Sequence, residues 1–329
     1  MTKQLKVNGQ IKTGLYAAIV VFLAYTMIFG FRKTFTVGTF DGITVIGYNY
    51  KTILVICQML GYLLAKFYGI KYISELKRTG RGKIILLLTG ISWVSWLFFA
   101  LVPPPYNIIF LFINGFPLGM LWGVVFSYVE GRQSTDFIGA TLAVSFIFAS
   151  GFVKSVGAWI GLTFAVNEFW IPFYAGLIFA LPLIFFVYLM EKIPAPNDLD
   201  IEYRANRIPM NSQDRRLFIK DFFWGLVGCV FIYCFATIFR DIRDNFSPEM
   251  WKEMGFFNQP ALFSKTETPI TLIVLILIGS MVLIKNNFTA LQTAHYFIVA
   301  GFIIAGACSL LFKYQLLSPI WWMTTVGLG

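Results

Sequence analysis

Four basic side chains sit inside or at the ends of long apolar runs, and a fifth opens one. Arg32, Lys66, Lys154 and Arg240 are the four, and Lys51 is the fifth. An ionisable group in such a run is costly, so it either reaches an interface along its stem or is kept for chemistry. A guanidinium is a planar fork of donors that grips a carboxylate or phosphate through paired hydrogen bonds. Arg32 comes late in the first apolar run and Arg240 late in the seventh. Facing each other across a bundle axis they repel when empty and clamp when an oxyanion lies between them. Lys154 lies mid-run among Phe152, Val153, Val156 and Trp159, too deep to snorkel easily. It either lines a wet path or pairs with a carboxylate. Lys66 adds positive potential or snorkels, and Lys51 is read as an interface anchor. Three carboxylates are possible charge partners: Glu130 at the end of the fourth run, and Asp241 and Asp244 on either side of Arg243.

Other chemistries find little support. His295 is the one histidine, at the start of an apolar run, where packing is its ordinary role. Cys57, Cys229, Cys234 and Cys308 lie in apolar segments without metal-ligand spacing, so no metal and no cofactor is expected. A membrane-embedded enzyme needs convergent acid, base or metal ligands, and the scattered carboxylates do not supply them; the chain is not read as an enzyme. The scarcity of titratable acids in the runs favours exchange over proton symport.

The elements that must position these groups follow from composition. Apolar residues make up 58% of the chain and charged residues 13%, against about half and about a quarter in a soluble domain. The excess is expected to face a lipid bilayer. A membrane helix needs about 20 mostly apolar residues. Such runs fall at 14–39, 52–70, 84–102, 108–129, 137–165, 169–190, 222–240, 268–284 and 289–312, and a tenth begins at Leu316. The first leaves room for its helix to extend past Arg32, since Thr34 to Phe40 is still apolar. The prediction is an all-α polytopic membrane protein with about nine complete transmembrane helices plus a truncated tenth. The net charge of +10 resides in short loops between apolar runs, which argues for orientation signals rather than a nucleic-acid partner. Loop 71–83 holds five Lys or Arg, and loop 191–221 holds Lys192, Arg204, Arg207, Arg215, Arg216 and Lys220; the alternate loops at 103–107 and 167–168 hold none. The positive-inside rule then places both basic loops and the N-terminus in the cytoplasm, with 240–267, of mixed charge, outside. Met1 to Lys12 is polar and basic and no small-residue cleavage site follows, so no cleavable signal peptide is expected.

The prolines and polar residues of 191–221 mark a linker between a six-helix bundle, 1–190, and a second, incomplete bundle, 222–329. An internal repeat supports the division. Tyr25-x6-Arg32 and Tyr233-x6-Arg240 share a spacing, and the same offset of 208 residues carries Gly119 to Gly327. Paired halves of this kind are the signature of parallel-repeat transporters. Gly115, Gly119, Gly123, Gly151, Gly157 and Gly161 suit close helix packing.

With these residues in view the chain resembles the major facilitator superfamily, most closely its organophosphate:phosphate antiporter branch. Arg32-Lys33-x-Phe35 is similar to that branch's Arg-Lys-x-Phe. Lys66-Phe67 is similar to its Ser-Lys-Phe, with Ala65 in place of the serine. Asn114-Gly115 and Gly119-Met120-x-Trp122 resemble its Asn-Gly and Gly-Met-x-Trp, and Arg240, Ser247 and Pro248 fall at its spacing, with Asp244 one residue off. Arg78-Thr79-Gly80-Arg81 fits the superfamily's loop signature except that Lys77 replaces an Asp, and the branch's histidine in helix 5 has no match. The resemblance implies a two-bundle fold of twelve helices, the last of them beyond residue 329, with Arg32 and Arg240 binding the phosphate. The expected protein is a monomeric carrier of a small anionic solute in the inner (plasma) membrane, with substrate on Arg32, Arg240, Lys154 and Lys66. The alternative is a transporter-like membrane sensor for such a ligand.

Overall fold

Lipid offers no hydrogen bonds to a backbone, so a chain of this composition satisfies its own peptide groups in helices. The computed structural model describes residues 2–74, 80–197, 200 and 211–329, and these form an all-α polytopic membrane protein. Its helices are α1 (Thr2–Lys33), α2 (Tyr50–Ser74), α3 (Arg81–Leu101), α4 (Ile109–Phe126), α5 (Thr135–Phe164), α6 (Ile171–Glu191), α7 (Ser212–Asn245), the short α8 (Ser247–Glu253), α9 (Ala261–Met281), α10 (Asn287–Lys313) and α11 (Pro319–Leu328). Nine helices among the described residues are long and apolar enough to span a bilayer, and each contains most of one expected run. A two-stranded hairpin, β1 (Thr44–Val45) with β2 (Tyr48–Asn49), joins α1 to α2.

Boundaries differ where polar chemistry overrides hydropathy. α1 does not run on to Phe40. It stops at Lys33 and gives way to one 3-10 turn, Thr34–Val37, where the β-branched Thr34, Thr36 and Val37 weaken the helix. α7 starts at Ser212 rather than 222 because Asn211 caps it. The Asn211 Oδ1 accepts from the Gln213 and Asp214 amides at 2.8 Å each, and Asp214 Oδ2 accepts from the Asn211 amide at 3.2 Å. α9 starts at Ala261 rather than 268, which brings Glu267 inside a helix. Lys77, Arg78 and Thr79 of the loop signature, and Arg204 and Arg207 of the linker, lie outside the described residues.

Helices α1 to α6 pack together, with α1 against α5 and α6 and α2 along α4. The α2–α4 seam is close because glycines lie on it. A Cβ on Gly119 would stand 2.6 Å from the Tyr62 carbonyl oxygen and 2.7 Å from Ala65 Cβ; Gly61 and Gly115 likewise face partner backbone. This is the small-residue packing that membrane helices use in place of a hydrophobic drive.

In the second set α9 and α10 each pack on α11, and α7 joins them through side chains, Arg243 to Glu267 and Phe239 against Phe302. This set joins the first chiefly through α9, which lies along α5, with Ser155 Oγ and Ser264 Oγ 2.7 Å apart and Glu267 against Gly151. The union is one-sided. The buried residues of α9 all lie within Leu262 to Thr271, and Asn245, in its last turn, is the buried residue of α7. The two sets therefore meet at the end that carries the β-hairpin and separate toward the end that carries the linker.

Gly119→Val is expected to cost about 1–3 kcal/mol by overpacking the α2–α4 seam. Equilibrium unfolding in detergent checks it, with Gly225→Ala, whose Cβ meets nothing, as the near-neutral control.

Candidate functional site

The site is built on the interrupted end of α1. The last carbonyls of a helix lack intrahelical partners, and side chains from three neighbours supply them. The Phe31 carbonyl accepts from Trp96 Nε1 at 2.6 Å and from Asn114 Nδ2 at 3.1 Å. The Arg32 carbonyl accepts from Gln58 Nε2 at 2.9 Å. Gln58 Nε2 also donates to Asn114 Oδ1 at 2.8 Å, and Asn114 Nδ2 to the Ser92 carbonyl at 2.9 Å. Gln58, Ser92, Trp96 and Asn114 are buried. Thus α2, α3 and α4 hold the α1 backbone at Phe31 and Arg32. Gly115, beside Asn114, lets α2 come close enough to take part.

From that anchored backbone the Arg32 guanidinium lies over the Tyr62 ring, 4.3 Å from its centroid and 5.7 Å from that of Phe29. The Lys66 ammonium is 4.7 Å from the same Tyr62 ring. Among the described residues no carboxylate is within ion-pair distance of Arg32 or Lys66. Arg32 Nε is buried without a hydrogen-bond partner, and so is Trp122 Nε1.

Both cations line a cavity of about 420 Å³ between the two helix sets, and Arg240 lines it from the other side. Of the sequence-predicted residues, Arg32, Lys66, Arg240, Asp241 and Asp244 share this wall. Glu130 lies in the turn after α4 and does not line it. Lys154 does not line it either. It is buried on α5 and its Nζ meets Asp244 Oδ1 at 2.6 Å, so of the two roles open to it the structure gives it the pairing one.

The cations on the second set are compensated. Arg240 donates to Asp241 Oδ1 through Nε at 3.1 Å and Nη2 at 3.0 Å, with its side chain 62% exposed. Arg243 meets Glu267 at 2.7 Å and donates to the Met323 carbonyl at 3.2 Å, tying α7 to α9 and α11. Asp244 carries more. Its Oδ2 meets Lys33 Nζ at 2.8 Å, its Oδ1 meets Lys154, and Ser150 donates to it. Lys33 also donates to Asn245 Oδ1 at 2.5 Å, and Lys154 to Ser247 Oγ at 3.2 Å. One carboxylate at the end of α7 thus gathers α1 and α5. Two pairs lie nearer the hairpin. Lys51 is fully buried, 2.6 Å from Glu249 of α8, and donates to the Thr36 carbonyl at 2.8 Å, so it is no interface anchor. Asp41 and Lys252 are 2.5 Å apart and exposed, and the Lys252 ammonium holds the Asp41 carboxyl below its usual range.

Several contributors escaped the sequence reading. Lys33 entered only as part of a motif, and Tyr62 and Asn245 carried no signal beyond residue type. Glu267 was assigned to a loop because hydropathy began the helix one residue after it. Arg32, Arg240 and Tyr233 line the cavity, while Tyr25 is buried away from it.

Fold and site together define a multi-pass membrane protein with a charged cavity between two sets of helices. The chain belongs to the family of unknown function DUF5690, which matches residues 34–329. No curated protein sequence matches it.

Asp244→Asn leaves Lys33 and Lys154 buried without their counter-charge, an expected loss of about 3–5 kcal/mol. Asp41→Asn breaks an exposed pair and is expected to cost under about 1 kcal/mol. Unfolding of the two variants side by side in detergent checks the difference.

Proposed function

We propose that this protein is a secondary transporter that carries a small organic anion, phosphorylated or carboxylated, across the inner (plasma) membrane by alternating access. The observation that carries the reading is the pair Arg32 and Lys66. They share one tyrosine ring, face a cavity and have no carboxylate to neutralise them. The lining as a whole holds two more cations than anions, Arg32, Lys33, Lys66, Arg240 and Arg243 against Asp241, Asp244 and Glu267. In a low-dielectric surround such an excess attracts an anion strongly.

An anion docks first on Arg32 and Lys66, which lie against Tyr62 and have no carboxylate partner among the described residues. Arg240 follows when a ligand oxygen replaces Asp241 on its fork. Contacts shared by both helix sets favour the conformation in which the sets close on the ligand, since only differential binding shifts such an equilibrium. The ion pairs of Asp244 and Lys51 keep the hairpin end shut while the linker end stands apart. With the basic loops and N-terminus cytoplasmic, this arrangement is inward-open. The resemblance to the major facilitator superfamily and its organophosphate:phosphate antiporters supports the same account.

Lysine keeps the charge of arginine and loses its fork. Arg32→Lys protein in proteoliposomes is expected to take up labelled phosphorylated or carboxylated metabolites at least about tenfold more slowly than wild type, the weight of one to two charge-assisted hydrogen bonds. Arg240→Lys is expected to lose less at the docking step and more in translocation. Uptake by Arg32→Lys equal to wild type contradicts the reading.

A further inference from the structure

Resting on the anion reading, we infer that the ligand is an aryl acid, a planar aromatic ring bearing a phosphate or carboxylate, rather than a polyol acid. The inference comes from what the cavity offers besides charge. Five of its sixteen lining residues are aromatic, Phe29, Tyr62, Trp122, Phe146 and Tyr233. The acid-binding pair is itself mounted on one of them, so an acid held by Arg32 and Lys66 places its body against rings.

A sugar or glycerol body needs a partner for each hydroxyl, because a buried unsatisfied donor or acceptor is penalised. The described lining contains no Asn or Gln. Its serine hydroxyl, Ser150, donates to Asp244, and its other hydroxyls are the two phenols of Tyr62 and Tyr233. Its carboxylates are taken, Asp241 by Arg240, Asp244 by Lys33 and Lys154, and Glu267 by Arg243. Beyond these two phenols the uncharged wall is mostly aromatic faces and edges, and these select a flat apolar body through offset or edge-to-face packing. The walls are set. Phe146 packs edge-on to Tyr25 with centroids 5.0 Å apart, and Trp122 stacks on Phe126 at 5.0 Å and 7°. The Trp122 Nε1, buried and without a partner, is a donor left for an acceptor on the ligand. A volume of about 420 Å³ admits a substituted ring with its acid group.

The test uses two matched pairs on the full chain in lipid nanodiscs by calorimetric titration: phenyl phosphate against glycerol 3-phosphate, and benzoate against glycerate. The aryl member is expected to bind at least tenfold more tightly in both pairs. Phe146→Leu, which keeps bulk and removes the ring, is expected to cut aryl affinity at least fivefold and leave glycerol 3-phosphate unchanged. Equal or tighter binding of the polyol members overturns the aryl inference and leaves the anion site standing. If neither pair nor inorganic phosphate binds, the anion reading falls and this inference with it.

Discussion

One carboxylate, Asp244, stands between two lysines from two different helices, and the attachment of α7 to the first helix set depends on it. Away from water, a charge must find its partner inside the protein. Lys33 and Lys154 have Asp244 as their shared counter-charge, supplemented by Asn245 and Ser247. Because Asp244 and Asn245 close α7, a helix otherwise little buried, the pairing fixes where the second set touches α1 and α5. Lys51 with Glu249 repeats the device one layer nearer the hairpin. The hairpin end is therefore held by these polar contacts together with the apolar packing of α9 along α5, where Leu262 and Phe263 are buried with Trp251 against Ala158.

The same economy shapes the proposed anion site. Ending α1 early frees carbonyls at Phe31 and Arg32, and three helices answer with Gln58, Trp96 and Asn114. Arg32 is thereby rooted in a rigid network while its guanidinium faces the cavity over Tyr62. Arg240 is the opposite, exposed and paired with its own neighbour. In the transport account this asymmetry assigns docking to the first set and closure to the second.

Much of the fold was legible in the sequence because lipid imposes one simple rule, a run of about 20 apolar residues per helix. Helix ends were not, because they are decided by caps and branched residues that hydropathy ignores: Asn211 at α7, Thr34 to Val37 after α1. At the site, the rule that a charge in an apolar run needs a reason picked out Arg32, Lys66, Arg240 and Asp244, which share the cavity wall. It also picked out Lys154, whose reason proved to be Asp244, since depth in a helix does not tell which way a side chain leaves it. Glu267 was hidden by a helix that starts at Ala261 rather than 268, and the role of Lys51 by its partner Glu249, which lies on a short helix that no apolar run marks. Tyr62 could not be found at all, because an aromatic in a chain that is 18% aromatic carries no signal until a cation is seen above it.

Alternating access requires the two helix sets to rock about the cavity, shut at the hairpin end when open at the linker end. Electron-spin distance measurements on two labelled pairs in nanodiscs test it directly: Ile46 with Gln259 across the hairpin end, and Lys12 with Lys220 across the linker end, all four residues exposed. On adding a transported anion the first distance should lengthen in a fraction of molecules while the second shortens in the same fraction. Distances that stay single and unchanged, or that lengthen together, contradict alternating access.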